Sequence, residues 1–220
     1  MKRIALVGFA LLSVVEIITQ VSGAHAIHVW VKPLLMPALL LWYWVSAGKG
    51  QRSVWVLAAL VFSCAGDTLL LFQYEPRFFI FGLVAFLIGH LFYVFAYRQH
   101  QHEDTADALA NVRKLRMAFP VLLAGIGFVV VLYPGLGQMR IPVIGYATVI
   151  QVMVITAIFR WGRTTTASFL SVVTGALLFM VSDSMIAINK FFAAFEYAGV
   201  SIMVTYLLGQ FLIVRGLLRH

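Results

Sequence analysis

Eight stretches of the chain run for about 18 residues or more with scarcely a charge, near residues 4–22, 29–46, 54–72, 78–97, 117–134, 141–159, 167–188 and 198–216. A helix rising about 1.5 Å per residue crosses a hydrocarbon core of about 30 Å in roughly 20 residues, so each stretch has the length of one crossing. Within a bilayer every backbone N–H and C=O must be satisfied inside the protein. A helix does this within one segment, whereas a β-barrel needs alternating segments of about ten residues, and these runs are continuous. Composition agrees: 62% of the 220 residues are hydrophobic, 11% are charged, and the mean hydropathy is +0.97, values foreign to soluble domains. The sequence predicts an all-α polytopic membrane protein of eight transmembrane helices, a single integral membrane domain over residues 1–220.

Basic residues mark the cytoplasmic side. With the N-terminus inside, the cytoplasmic set is Lys2, Arg3, Lys49, Arg52, Arg98, Arg113, Lys114, Arg116, Arg160, Arg163, Arg215 and Arg219, twelve of the 16 Lys and Arg. Arg77, Arg140 and Lys190 fall on the other side, with Lys32 just inside a span. Both termini are therefore predicted to be cytoplasmic. The net charge of +8 reads as a topology signal whose partner is the anionic lipid surface. Scattered over short loops, it forms no patch for nucleic acid. The opening "MKRIALVGFALLSVVEIITQVSGAHA" has the elements of a cleavable signal peptide, but Glu16 and the length of the run favour a retained first span. One cysteine, Cys64, makes no disulfide framework. Compact loops and the lack of other targeting signals point to a bacterial inner membrane.

The one long connection, residues 98–116, is polar, is predicted to hold a short amphipathic helix from about Thr105, and divides the chain into two sets of four spans. Spans three and seven occupy matching positions in those halves and carry Gly66-Asp67-Thr68 and Ser182-Asp183-Ser184. The likeness is either a worn parallel repeat or a coincidence of two tripeptides.

A lone ionised carboxylate at the centre of a span costs roughly 2.5–3.5 kcal/mol on insertion scales, so intramembrane acids call for a reason. Counting from span ends places Asp67 and Asp183 roughly 7 Å inside the outer border and Glu16 roughly 9 Å inside, with Lys32 and Lys190 close to that border. His90 falls near the midplane with Tyr93 and Tyr97 on its face, and Tyr206 and Gln210 form an i, i+4 pair on the last span. Gln20, Ser63, Gln151 and Thr205 read as helix-to-helix hydrogen bonders worth about 0.6 kcal/mol each, and His90 alone reads the same way. Two aspartates and a glutamate at like depth form either an ion-pair lattice or a reactive site. Two carboxylates brought together in a dehydrated cleft share a proton, which gives a general acid beside a general base. That arrangement suits hydrolysis of an acid-labile bond, peptide hydrolysis or proton-coupled transport.

The ordered set Lys32-Pro33-Leu34-Leu35-Met36-Pro37, Gly66-Asp67, Phe78 with Gly82, Phe86, His90 and Tyr93, Gly175-Ala176 with Phe179 and Ser182-Asp183, Asn189-Lys190-Phe191, and Tyr206 with Gln210 resembles the YhhN family, the TMEM86-like lysoplasmalogenases. The resemblance implies a membrane hydrolase that cleaves the vinyl ether bond of a lysophospholipid substrate without metal or cofactor. It implies catalytic roles for Asp67, Asp183 and His90, and substrate contacts from Lys32, Lys190, Tyr93, Ser182, Asn189, Tyr206 and Gln210; Glu16, ahead of a match that runs from about residue 30, joins them on its depth in the span alone. Lys32 and Lys190 would hold the phosphate, Glu16 would meet an ethanolamine ammonium, and either aspartate could be the acid, Asp183 beside Ser182 being the first choice. His25, His28, His100, His102 and His220 show no ligand spacing.

Two rivals remain. An intramembrane aspartyl protease would carry Gly-x-Gly-Asp, but Cys64 stands at the first glycine, and Pro37-Ala38-Leu39 precedes both aspartates. A proton-coupled transporter would need broken helices at the midplane, whereas the prolines mostly fall near predicted span ends.

Overall fold

The structure, a computed structural model, describes residues 1–48, 50–102 and 111–220, apart from the side chain of residue 111. Among them are eight α-helices: α1 (Lys2–Ser22), α2 (His25–Ser46), α3 (Val54–Leu70), α4 (Pro76–Gln99), α5 (Asn111–Leu132), α6 (Arg140–Ile158), α7 (Thr166–Phe191) and α8 (Ala198–Leu217). Seven helical segments are long and apolar enough to cross a membrane, and the eighth helix, α3, is apolar but has only 17 residues. The chain is thus an all-α polytopic membrane protein. At about 25 Å, α3 is the one crossing the sequence drew too long. After Leu70 the backbone bonds tighten to i→i−3 through Gln73, and Pro76, which lacks an N–H, opens α4. Hydropathy cannot register that change of pitch.

Lys49 and the predicted amphipathic helix from about Thr105 lie outside the described residues, except that α5 begins at residue 111, six residues ahead of the predicted span. The expectation that prolines sit near span ends fails for three of the six, because Pro33 and Pro37 lie inside α2 and Pro120 inside α5. That removes one argument against a transporter.

The chain divides into two compact units, Met1–Tyr93 and Val94–His220. In the first, α1 packs on α2 and α2 on α3. Gly23, in the left-handed region at φ 68°, ends α1, and the next amide, Ala24 N–H, donates back to Thr19 O at 3.1 Å. Pro37 has no N–H to offer the Pro33 carbonyl one turn earlier, and the Cys64 thiol of α3 donates to that carbonyl at 3.4 Å. Glycines let α4 lie close to α3. A Cβ at Gly66 would overlap the Phe86 ring, and one at Gly82 would press on Leu70.

In the second unit, α6 packs on α5 and α7, and α7 packs most extensively on α8. Gly175 of α7 and Gly209 of α8 face each other so closely that a Cβ on either would come within 3 Å of the other's carbonyl oxygen. Thr165 caps α7 by accepting from Ser168 N–H at 3.2 Å. Arg160, fully buried beyond the end of α6, donates to the His100 carbonyl at 2.9 Å and to Ser168 Oγ at 2.9 Å. Burial lowers the Arg160 pKa to about 10, which leaves it a cation at neutral pH.

Candidate active site

Asp183 sits in the C-terminal half of α7, and the Tyr146 hydroxyl of α6 donates to its Oδ2 at 2.5 Å. Both line a cavity of about 210 Å³ between α5, α6 and α7. Phe128, Val143, Ile150, Met180 and Ala187 give it an apolar wall. Its other polar members spend donors on their own helices: Ser184 Oγ donates to Met180 O at 2.7 Å, and Gln151 Nε2 to Ala147 O at 3.1 Å. Gly125 makes room for the Gln151 side chain, which a Cβ there would strike. Asp183 is the one acid among the described residues lining this space. Tyr146 escaped the sequence reading because a tyrosine in an apolar span carries no charge signal, and 37 residues separate it from its partner.

In the first unit Asp67 is buried on α3, three residues before the helix ends. The hydroxyls that follow the two aspartates behave alike, since Thr68 Oγ1 donates to Cys64 O at 2.8 Å just as Ser184 does to Met180 O. The depth argument needs correction: Asp67 lies three residues from the end of α3, whereas Asp183 lies eight from the end of α7, so counting from helix ends no longer gives them one level. The face of α4 expected to carry His90, Tyr93 and Tyr97 exists, with all three buried.

Glu16 has no solvent exposure, and its partner is a residue the sequence reading set aside. His28 Nδ1 lies 2.7 Å from Glu16 Oε1, and Gln20 Nε2 donates to the same oxygen at 3.1 Å. Gln20 is therefore part of an ionisable cluster, and Thr205, bonded to Ser201 O, and Gln151 satisfy their own helices. Of the remaining candidates, Lys32 is half-buried and Lys190 exposed. Ser182 turns from Asp183 to α8, where its Oγ donates to Ile202 O at 3.0 Å. Tyr206 stands edge-on to Phe179 at 5.3 Å and accepts from Gln210 Nε2 at 3.5 Å. Asn189 Oδ1 accepts from Phe195 N–H at 3.3 Å and so holds the turn after α7.

Membrane-crossing helices that bury Glu16 and Asp67 in one unit, and set a half-buried Asp183 on the wall of an apolar cavity in the other, define a polytopic membrane protein with ionisable groups within its helices. The chain belongs to the YhhN family, whose model matches residues 27–217. It is 31% identical over 169 residues to a lysoplasmalogenase of Mycobacterium bovis, covering 76% of this chain but 61% of that protein, so it spans less than two thirds of that relative's length. It is 30% identical over 195 residues to human lysoplasmalogenase TMEM86A, covering 84% of this chain and 77% of that one. An uncharacterized membrane protein YhhN of Escherichia coli is 28% identical over 193 residues, 86% of each chain. No solved structure matches. Glu16 lies ahead of the residues the family model covers.

Proposed function

We propose that this protein hydrolyses the vinyl ether bond of lysoplasmalogens, releasing a fatty aldehyde and a glycerophospho-ethanolamine or -choline. The observation that carries the proposal is its similarity, over most of its length, to proteins named lysoplasmalogenase. Vinyl ether hydrolysis begins with slow protonation of the β-carbon, which leaves an oxocarbenium ion. Water adds to that ion and loses a proton to give a hemiacetal, which collapses to aldehyde and alcohol; one water is consumed and the catalytic proton returns. The reaction needs an acid for the carbon, and an anion to stabilise the cation and take the water's proton.

Asp67 and Asp183 divide these roles. The hydroxyl that Tyr146 directs at Oδ2 serves a carboxylate acceptor, which favours Asp183 as the anion and Asp67 as the acid, the reverse of the first choice from sequence. His90 with Tyr93 supports proton movement. Lys32 and Lys190 hold the phosphate, and Glu16, through its second oxygen, meets the ammonium of ethanolamine. The site opens toward the non-cytoplasmic leaflet of a bacterial inner membrane.

The test is aldehyde release from a lysoplasmalogen by the purified chain in detergent. Asp67→Asn and Asp183→Asn are each expected to lose at least roughly a hundredfold in kcat, the range for one acid–base group. Full activity in both variants, or none in the wild type, would overturn the reading.

A further inference from the structure

We infer that the cavity between α5, α6 and α7 receives the hydrocarbon of the substrate at the carbons next to the scissile bond, and that Tyr146 is the positioning residue that fixes Asp183 against them. This rests on the hydrolase reading and adds where the chain lies and what orients the carboxylate.

The lining chooses the ligand. Apart from the Asp183–Tyr146 pair, its polar groups donate to their own backbone, and the rest of the wall is aliphatic or aromatic. A headgroup or a sugar placed there would leave its own polar groups unsatisfied, at a cost of roughly 1–3 kcal/mol each, whereas methylenes leave nothing behind. Size points the same way. At about 210 Å³ the space is smaller than the roughly 300–1,000 Å³ of pockets that enclose whole small molecules. It suits a segment of one chain whose remainder stays among the lipid tails.

Position agrees as well. Asp183 lies eight residues before the end of α7, about 12 Å along the helix axis, so the carboxylate stands within the helix and not at its tip, as contact with a chain below its headgroup requires. Tyr146 is itself buried, so its ring is held by packing, and its hydroxyl leaves the carboxylate little rotational choice. Gly125 preserves the room by keeping the Gln151 side chain folded against it. A cation forming on the first carbon of a chain seated here would develop beside Asp183, with water excluded from the far side by the apolar wall.

Two readouts test this. The first is independent of turnover: a saturated 1-O-alkyl lysophospholipid with a diazirine on the carbons next to the ether oxygen is photolysed with the full-length protein in detergent, and the labelled peptides are mapped. Label is expected on α5–α7, reduced about tenfold by Ala147→Leu and by Ala187→Leu, two fillings from different helices that guard against one variant failing to fold. Label elsewhere, or undiminished in both monodisperse variants, overturns the chain site. The second is the pH profile of kcat for Tyr146→Phe. The variant keeps the ring and loses the hydroxyl, so kcat is expected to fall roughly tenfold to a hundredfold, the worth of one hydrogen bond to a charged group, with KM little changed and the acid limb displaced. An unmoved profile overturns the positioning role. Absence of aldehyde from the wild type would remove the hydrolase reading and Tyr146's role with it, while the label still decides the cavity.

Discussion

A wholly buried carboxyl group such as Glu16 needs a hydrogen-bonding partner nearby, and here that partner is His28, one turn past the α1–α2 connection. Removing one partner of a buried pair is costlier than removing both, since it strands a buried polar group without its hydrogen bond. Thus His28→Ala is expected to lower stability in detergent by about 3 kcal/mol, Glu16→Gln by about 1 kcal/mol, and the double variant by less than the sum. Thermal unfolding of the four proteins checks the cycle. Simple additivity would mean that the pair does not interact. The sequence exposed Glu16 as an anomaly but not its partner, because whether a histidine beside a turn faces inward depends on where α2 starts. That start came four residues earlier than hydropathy indicated.

Among the elements, the α7–α8 pair is where sequence and packing join most directly. Gly175 and Gly209 bring two backbones into contact, and without a Cβ on either the helices gain close van der Waals packing that compensates for the absence of a hydrophobic drive between helices in lipid. Gly175→Leu is expected to force the pair apart at a cost of about 2–3 kcal/mol, read as a lower unfolding midpoint, whereas the same change at Gly8, with open space around it, should be close to neutral. Equal effects at both sites would sink the argument. The existence and order of the helices were legible because each apolar run is long, and most ends fell within a few residues. What stayed hidden was pairing across distance. The Pro33 carbonyl satisfied by Cys64, the Tyr146 hydroxyl on Asp183 and Ser182 turned toward α8 all depend on helix rotation, which hydropathy does not encode.

On the scale of the whole chain, charge placement does two things. The bias of basic residues predicts a topology: in a Cys64→Ala background, a membrane-impermeant maleimide on intact cells should label Gln138→Cys and spare Gln51→Cys, and the opposite pattern would invert the orientation. The same bias gathers cations at one end of the second unit, where the end of α4, the α6–α7 turn and the end of α8 meet. The His220 ring lies 4.8 Å from that of His102 and 5.7 Å from that of His100, and its Nδ1 lies 3.0 Å from Thr164 Oγ1. Arg160, still charged, lies beside them. Desolvation first, then His100, Arg160 and His102, lower the His220 pKa to about 4, and burial lowers that of His100. Both rings are neutral in the fold at pH 7 but take a proton near pH 6.5 once unfolded. The unfolded chain therefore binds more protons as pH falls, so stability is fully present above about pH 6.5 and declines from there toward about pH 4. Unfolding temperature in detergent should drop between pH 7 and pH 5, and His100→Gln with His220→Gln should flatten that slope. A midpoint that rises on acidification, or a slope indifferent to both substitutions, would show that these histidines bind protons as readily in the fold as out of it.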